Sequence, residues 1–390
     1  MEDEDGRTAT TRRGRRGTRA ASVACVLLVG LLAGCGADGD ADAQRPAITL
    51  ADVRVAAART RGAGTAHLRA TSSGRETDGV WDFARRQGRF TGDAVSGEVV
   101  VANGAVFRRL SRRELAGQGD EPAARHRWSQ TRVPTTADVE DDRYFGLALE
   151  GPATLDDAFD VLALATSVED LGRAGAPVGR GARLGLPDAL TREGYRTPEV
   201  WLDAGGRIRR LHLAAAVGPG PPRIDLTLDV GPFAVPADVA VPPVADLDPS
   251  GEVVPVAAWR VVDEADAAGR RYHLLVAPDN RSYDRPERRT GRCVAVTPAD
   301  LAPAAPPPFY DCMVPAAPGL NPVLLAQAVH PSFQGDVMTG TAVVEWPSIE
   351  AAFDGGPPVD VAVHDGAFAV VVPEGRHLRT LAGTPVDQLG

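Results

Sequence analysis

The chain opens with an arginine-rich stretch at 12–19, followed by 14 uncharged, mostly apolar residues at 20–33. That run is shorter than the roughly 20 residues that span hydrocarbon. Next, the text GADGDADAQRP at 36–46 has nothing to bury and predicts a flexible tether. Thr49 caps a predicted helix that continues to Arg61, with Leu50, Val53, Ala57 and Thr60 on one stripe and Gly62 at its end. Residues 64–74, 78–93 and 96–110 alternate apolar with polar positions between Gly-rich turns, the pattern of half-buried antiparallel strands. Asn103 and Gly104 both tolerate positive φ, which predicts a type I′ hairpin pairing Val101 with Val106 and Val100 with Phe107. A further strand is expected around Trp128 to Val133.

The period then changes. Over 155–171, Leu155, Phe159, Leu162, Ala163 and Ala165 or Thr166 recur at near-helical spacing, and Gly172 reads as a stop. Strands return at 195–202 and 207–217, joined by an Ala204-Gly205-Gly206 turn, and at 223–230. The Pro-rich stretch 241–249 closes a first unit. Residues 250–390 carry short strand signals at 257–264, 271–277, 292–297 and 341–346, and a hairpin at 359–372 turning on Asp365-Gly366. These predict a smaller β-rich domain, a β-sandwich or α+β module. A proline-rich loop at 302–308 is expected on its surface.

Two resemblances add to this reading. Leu32-Ala33-Gly34-Cys35, after a basic region and an apolar run, resembles the lipobox of bacterial lipoproteins. It implies a signal peptide over 1–34, a cysteine at 35 that carries diacylglyceryl and palmitate-type chains, and a lipidated tether over 35–46. Each buried CH₂ contributes roughly 0.8 kcal/mol, so two or more chains anchor stably. The expected location is therefore the extracytoplasmic face of the cell membrane. Gly64-Thr65-Ala66-His67-Leu68, and the segment running from Pro198 through Trp201-Leu202-Asp203-Ala204-Gly205-Gly206 to Leu211, resemble actinobacterial lipoproteins of the LppX/LprG group. That resemblance covers 46–248. It implies a LolA-like α+β fold, a curved antiparallel half-barrel wrapped on helices over 47–248, and an apolar cavity for acyl chains.

Composition narrows the chemistry. All 42 basic residues are arginine, the mark of a G+C-rich coding bias. Without lysine there is no Walker A lysine, no pyridoxal Schiff base and no Ser-x-x-Lys nucleophile. Beyond residue 34 the net charge is −12, against −10 for the whole chain. The arginine cluster at 108–113 is followed at once by Glu114 and that at 285–292 is interrupted by Glu287, so no nucleic-acid partner is expected. Of four cysteines, Cys25 lies in the apolar leader and Cys35 is taken by lipid. Cys293 and Cys312, with 18 residues between them, are then expected to form a disulfide in an oxidising compartment. The seven histidines are scattered singly, no nucleophile elbow or zinc helix is present, and the acid pairs Asp141-Asp142 and Asp156-Asp157 are adjacent in sequence. No catalytic residue, metal or cofactor is expected.

What remains is binding. If the sheet curves around its helices, the cavity lining comprises Leu68, Trp81, Phe83, Phe90, Val101, Phe107, Val200, Leu202, Leu211, Leu213, Leu226 and Leu228, with Phe159 and Leu162 from the helix. A lipid or lipoglycan held by burial is the expected ligand. The alternative is a surface scaffold or envelope sensor, its half-barrel filled and its C-terminal domain bound to a protein partner.

Overall fold

The structure is a computed structural model that describes residues 47–72, 74–93, 97–117, 127–133, 159, 162–174, 179–188, 191, 196–215, 224–248, 251–283, 291–301, 306–307, 309–313, 323–326, 329–333, 335–343 and 345–389. The expected signal peptide, Cys35 and the tether lie outside the described residues, as does most of the proline-rich loop.

Helix α1 (Leu50–Arg61) starts where Thr49 permits it. The Thr49 side-chain oxygen accepts the Asp52 N–H, and the Asp52 carboxylate accepts the Thr49 N–H at 2.9 Å, a reciprocal capping box. Its buried stripe is Val53, Ala56, Ala57 and Thr60, so Ala56 joins the expected face while Leu50 stays half-buried. Gly62 closes the helix in right-handed geometry, and the left-handed turn comes two residues later at Gly64.

Ten strands follow singly or as hairpins: β1 (Thr65–Ser72), β2 (Arg75–Asp82), β3 (Gln87–Gly92), β4 (Gly97–Ala102), β5 (Ala105–Arg109), then, after the short α2 (Arg112–Gly117), β6 (Trp128–Arg132), β7 (Ser167–Ala174), β8 (Gly179–Gly185), β9 (Glu199–Leu202) and β10 (Ile208–Ala215). β11 (Ile224–Phe233) completes one antiparallel sheet in the order β6-β5-β4-β3-β2-β1-β11-β10-β9-β8-β7. The Asn103-Gly104 hairpin has the expected register, Val101 opposite Val106 and Val100 opposite Phe107, with φ of 57° and 87° at its two turn residues.

Two sequence expectations change here. The helix over 155–171 does not extend that far: Phe159, Leu162 and Ala163 are helical, but Ser167–Ala174 is the edge strand β7. Gly172 is not a helix stop; it has φ of 77° beside a register shift against β8, where a β-bulge inserts a residue. Glu169 stands opposite Arg183, Asp170 opposite Ala182 and Arg173 opposite Arg180 of β8, so the helix-like spacing of apolar residues ends upstream of this strand.

The remaining strands form three smaller antiparallel sheets. The first joins β12 (Arg260–Ala267), β13 (Arg270–Pro278), β14 (Arg292–Pro298) and β15 (Asp311–Met313) in sequence order. The second has the order β16-β17-β20 and the third β19-β18-β21-β22, from β16 (Val323–Ala326), β17 (Val337–Ala342), β18 (Ser348–Phe353), β19 (Val359–Ala362), β20 (Ala367–Val371), β21 (Leu378–Leu381) and β22 (Thr384–Pro385). Asp365-Gly366 makes its turn with both φ positive, but the expected hairpin at 359–372 is a junction: β19 pairs with β18, β20 pairs with β17, and only a His364–Ala367 bridge lies between them. Cys293 and Cys312 face each other across β14 and β15 and are bonded.

The Pro-rich stretch after β11 does not run free. Val239, Val241, Val244 and Leu247, with Val254 and Val256, pack on Val100, Ala102, Ala105, Phe107 and Trp128. Strands β4 and β5 are therefore buried on both faces at this point, which is why Val99-Val100-Val101 is continuously apolar rather than alternating. The Asn103-Gly104 turn is clamped as well. The Trp259 indole N–H donates to the Asn103 carbonyl at 3.0 Å, and the Tyr310 hydroxyl donates to the Gly104 carbonyl at 3.0 Å. Burial pushes the Tyr310 phenol above its ordinary pKa. The Arg132 guanidinium lies 4.7 Å from the Tyr310 ring and pairs with Glu252 at 2.9 Å. Residues Ala47–Gly390 group as one compact unit.

Candidate functional site

Alternation sorts the large sheet into two unlike faces. On β1, Ala66, Leu68 and Ala70 point one way and His67 and Arg69 the other; β2, β10 and β11 repeat the division. The polar face is laced with ion pairs such as Arg89–Glu98 and Arg210–Asp229 and with the 2.8 Å hydrogen bond between His212 and Asp225. The apolar face joins Leu68, Trp81, Phe90, Val99, Val101, Ala182, Leu184, Val200, Leu202, Ile208, Leu211, Leu213, Leu228 and Val230 in one buried cluster. The stripe of α1, Phe83 and the helical residues Phe159 and Leu162 belong to the same cluster.

Glycines make room for its largest rings. Trp81 and Phe90 lie with centroids 6.1 Å apart over Gly79 and Gly88. A Cβ at Gly88 would stand 2.5 Å from the Phe90 ring and 2.6 Å from Trp81, closer than any real Cβ contact. Phe83 stacks on Phe159 at 6.1 Å, and the Arg61 guanidinium lies 5.6 Å from that same ring. The helix side, by contrast, presents small groups, Val53, Ala56 and Ala57. Thr60 ties this layer to the sheet: its hydroxyl donates to the Ala56 carbonyl at 2.7 Å and accepts the Ile208 N–H at 2.8 Å. Arg54 donates to the Ala165 carbonyl at 3.1 Å. At the rim, Asp170 accepts the Gly172 N–H at 2.8 Å and the Ile48 N–H at 3.3 Å; the Gly172 bond chiefly holds its carboxyl below the usual pKa.

Among the described residues of this layer, the Thr60 hydroxyl is satisfied and the Trp81 indole is not. Trp81 is 2% exposed, yet its indole Nε1–H has no hydrogen-bond acceptor. Buried indole N–H groups ordinarily find a partner, and leaving a donor unpaired costs about 1–3 kcal/mol. Alternation along β2 predicts the side on which Trp81 lies but not the surroundings of its N–H.

Of the 14 residues expected to line the face, 12 belong to the cluster and are between 0 and 9% exposed. Phe107 does not. It lies on the opposite face, packed with Trp128 and Leu247, as its pairing with Val100 requires when Val101 points inward. Leu226 is half-buried near the start of β11. Among the described residues, no three His, Cys, Asp or Glu side chains assemble as a metal site would need, and no helix is long and apolar enough to cross a membrane.

No protein-family model matches the chain, and no curated protein matches it. Solved structures do. The lipoprotein LppX of Mycobacterium tuberculosis matches with 12% identity over 49% of this chain and 97% of its own, at a TM-score of 0.32. LprF of Mycobacterium bovis matches with 10% identity over 50% of this chain and 96% of its own, at a TM-score of 0.28. MucB matches with 14% identity over 63% of this chain and 77% of its own, at a TM-score of 0.25.

Proposed function

We propose that this chain is a non-enzymatic envelope lipoprotein that holds the acyl part of a lipid or lipoglycan between the apolar face of its large sheet and the α1 layer. In this reading Cys35 carries the membrane anchor, residues 47–248 form a half-barrel wrapped on helices, and residues 250–390 form a second domain docked on it. The observation that carries the reading is the Trp81 N–H. A buried donor without an acceptor, inside an apolar cluster built on large side chains, suits a ligand whose tails are hydrocarbon and whose ester carbonyl accepts one hydrogen bond. The thin helix side supports it too. Separating Val53, Ala56 and Ala57 from the sheet exposes little apolar area on the helix, so an acyl chain can take their place at modest cost.

A binding assay with a fluorescent fatty-acid ester and a carbonyl-free hydrocarbon probe tests this directly. Trp81→Phe is expected to weaken the ester by about 3- to 10-fold, the worth of one net hydrogen bond, and to leave the hydrocarbon probe unchanged. Its thermal stability should change little, because removal of the unpaired donor offsets the burial lost with the smaller ring. Uptake of neither probe, or equal loss of both with Trp81→Phe, contradicts the reading.

The close packing of the same side chains favours a second reading, a scaffold or sensor whose half-barrel is filled by its own residues. In that case neither probe enters.

A further inference from the structure

The polar face of the large sheet contains a cleft of about 430 Å³ in its middle, formed where β2, β1, β11 and β10 lie side by side. This size falls within the roughly 300–1,000 Å³ of small-molecule sites. Register builds it. Asp78 stands opposite Arg69, Arg69 opposite Asp229, and Asp229 opposite Arg210, a row of alternating charge across four strands. His67 closes one side through a 3.0 Å contact with Asp78, and Val230 and Gly231 contribute the adjoining wall.

The row is nearly neutral; Arg209 is what unbalances it. Its guanidinium makes no ion pair with a carboxylate among the described residues and instead lies 5.4 Å from the Phe233 ring, whose centre also has the Arg207 guanidinium 4.4 Å away. Arg207 is committed to Asp203 at 2.9 Å. Gly231 admits Arg209 to the cleft: it has φ of 103°, and a Cβ there would sit 2.8 Å from the Arg209 Cζ. The arrangement leaves one guanidinium fork beside an aromatic ring, flanked by Arg69, which is paired with Glu76, and by Arg210, which is paired with Asp229, in a chain that is otherwise acidic.

From this we propose that the cleft binds a phosphate monoester or diester carried on a sugar or polyol. Arg209 supplies the planar fork that pairs two phosphate oxygens, with Arg69 and Arg210 as neighbouring positive charge. Asp78 and Asp229 retain acceptor capacity beyond their arginine and histidine partners and take the hydroxyls of the carrier. The site is on the face opposite the apolar cluster and does not depend on acyl binding there.

Calorimetric titration of the purified protein with glucose 6-phosphate, glucose and inorganic phosphate tests it. Glucose 6-phosphate is expected to bind more tightly than either component, and less tightly as salt rises. Arg209→Gln is expected to weaken it by roughly tenfold or more. Arg69→Gln, at a side chain 58% exposed and so tolerant of replacement, should weaken it as well, while Arg85→Gln outside the cleft should not. Sedimentation with phosphatidylinositol vesicles, and not with phosphatidylcholine vesicles, in an Arg209-dependent way identifies the phosphate as a lipid headgroup; glucose 6-phosphate binding without vesicle capture identifies a soluble one. No binding of glucose 6-phosphate, or binding untouched by both Arg209→Gln and Arg69→Gln, overturns the proposal.

Discussion

Phe90→Ala is expected to destabilise the protein by about 3–5 kcal/mol, the range for removing a buried aromatic side chain. Phe90 is 2% exposed and its ring occupies slots left by Gly79 and Gly88, against Trp81. Those slots lie between strand backbones: a Cβ at Gly79 would meet the Arg89 carbonyl oxygen and the Phe90 ring together. The strands cannot close on the vacated volume without breaking the β2–β3 register, so most of the cavity persists. Urea unfolding followed by tryptophan fluorescence measures the change. A loss below about 1 kcal/mol would mean the face collapses readily and is not held by these rings.

Cys312→Ser is the second large effect, with an expected loss of about 3 kcal/mol from the entropy of an unfolded chain no longer closed by a loop of this length. The folded side argues in the same direction. Strand β15 has three residues, all paired to β14, and Cys312 packs against the cluster of Leu275, Cys293, Ala295 and Tyr310. Tyr310, next to that strand, clamps the Asn103-Gly104 turn of the large sheet. Loss of the bond should therefore speed amide exchange at β15 and at the residues around Gly104, beyond lowering the melting temperature. Thermal melts with and without reductant, together with hydrogen exchange, check both. Unchanged exchange around Gly104 would separate the disulfide from the clamp.

Much of this architecture was legible because alternation and turn chemistry are local. Thr49 announces the start of α1, and Asn103-Gly104 announces a hairpin whose register the structure keeps. The failures mark where distant chain intervenes. Ser167–Ala174 is a strand because β8 supplies its partners, and β8 itself, rich in glycine and arginine, has little strand signal. Asp365-Gly366 has hairpin chemistry, yet its flanking strands join different sheets. For the candidate site, the apolar positions are readable from period two, and Phe107 departs from the expected face because its pairing with Val100 sets it on the opposite one. The charged cleft was not readable. Its residues come from two pairs of strands, β1 with β2 and β10 with β11, that lie more than 100 positions apart, and what distinguishes Arg209 from its neighbours is the room left by Gly231.

The central claim is that the apolar face between the large sheet and α1 holds acyl chains, and native mass spectrometry of the protein purified from a bacterial host tests it most directly. The expected result is a species heavier than the polypeptide by the mass of a non-covalent lipid, released on denaturation and absent from Leu202→Trp, which fills the face with a larger ring. A bare polypeptide that also fails to take up an added acyl ester would contradict the claim and leave the filled scaffold.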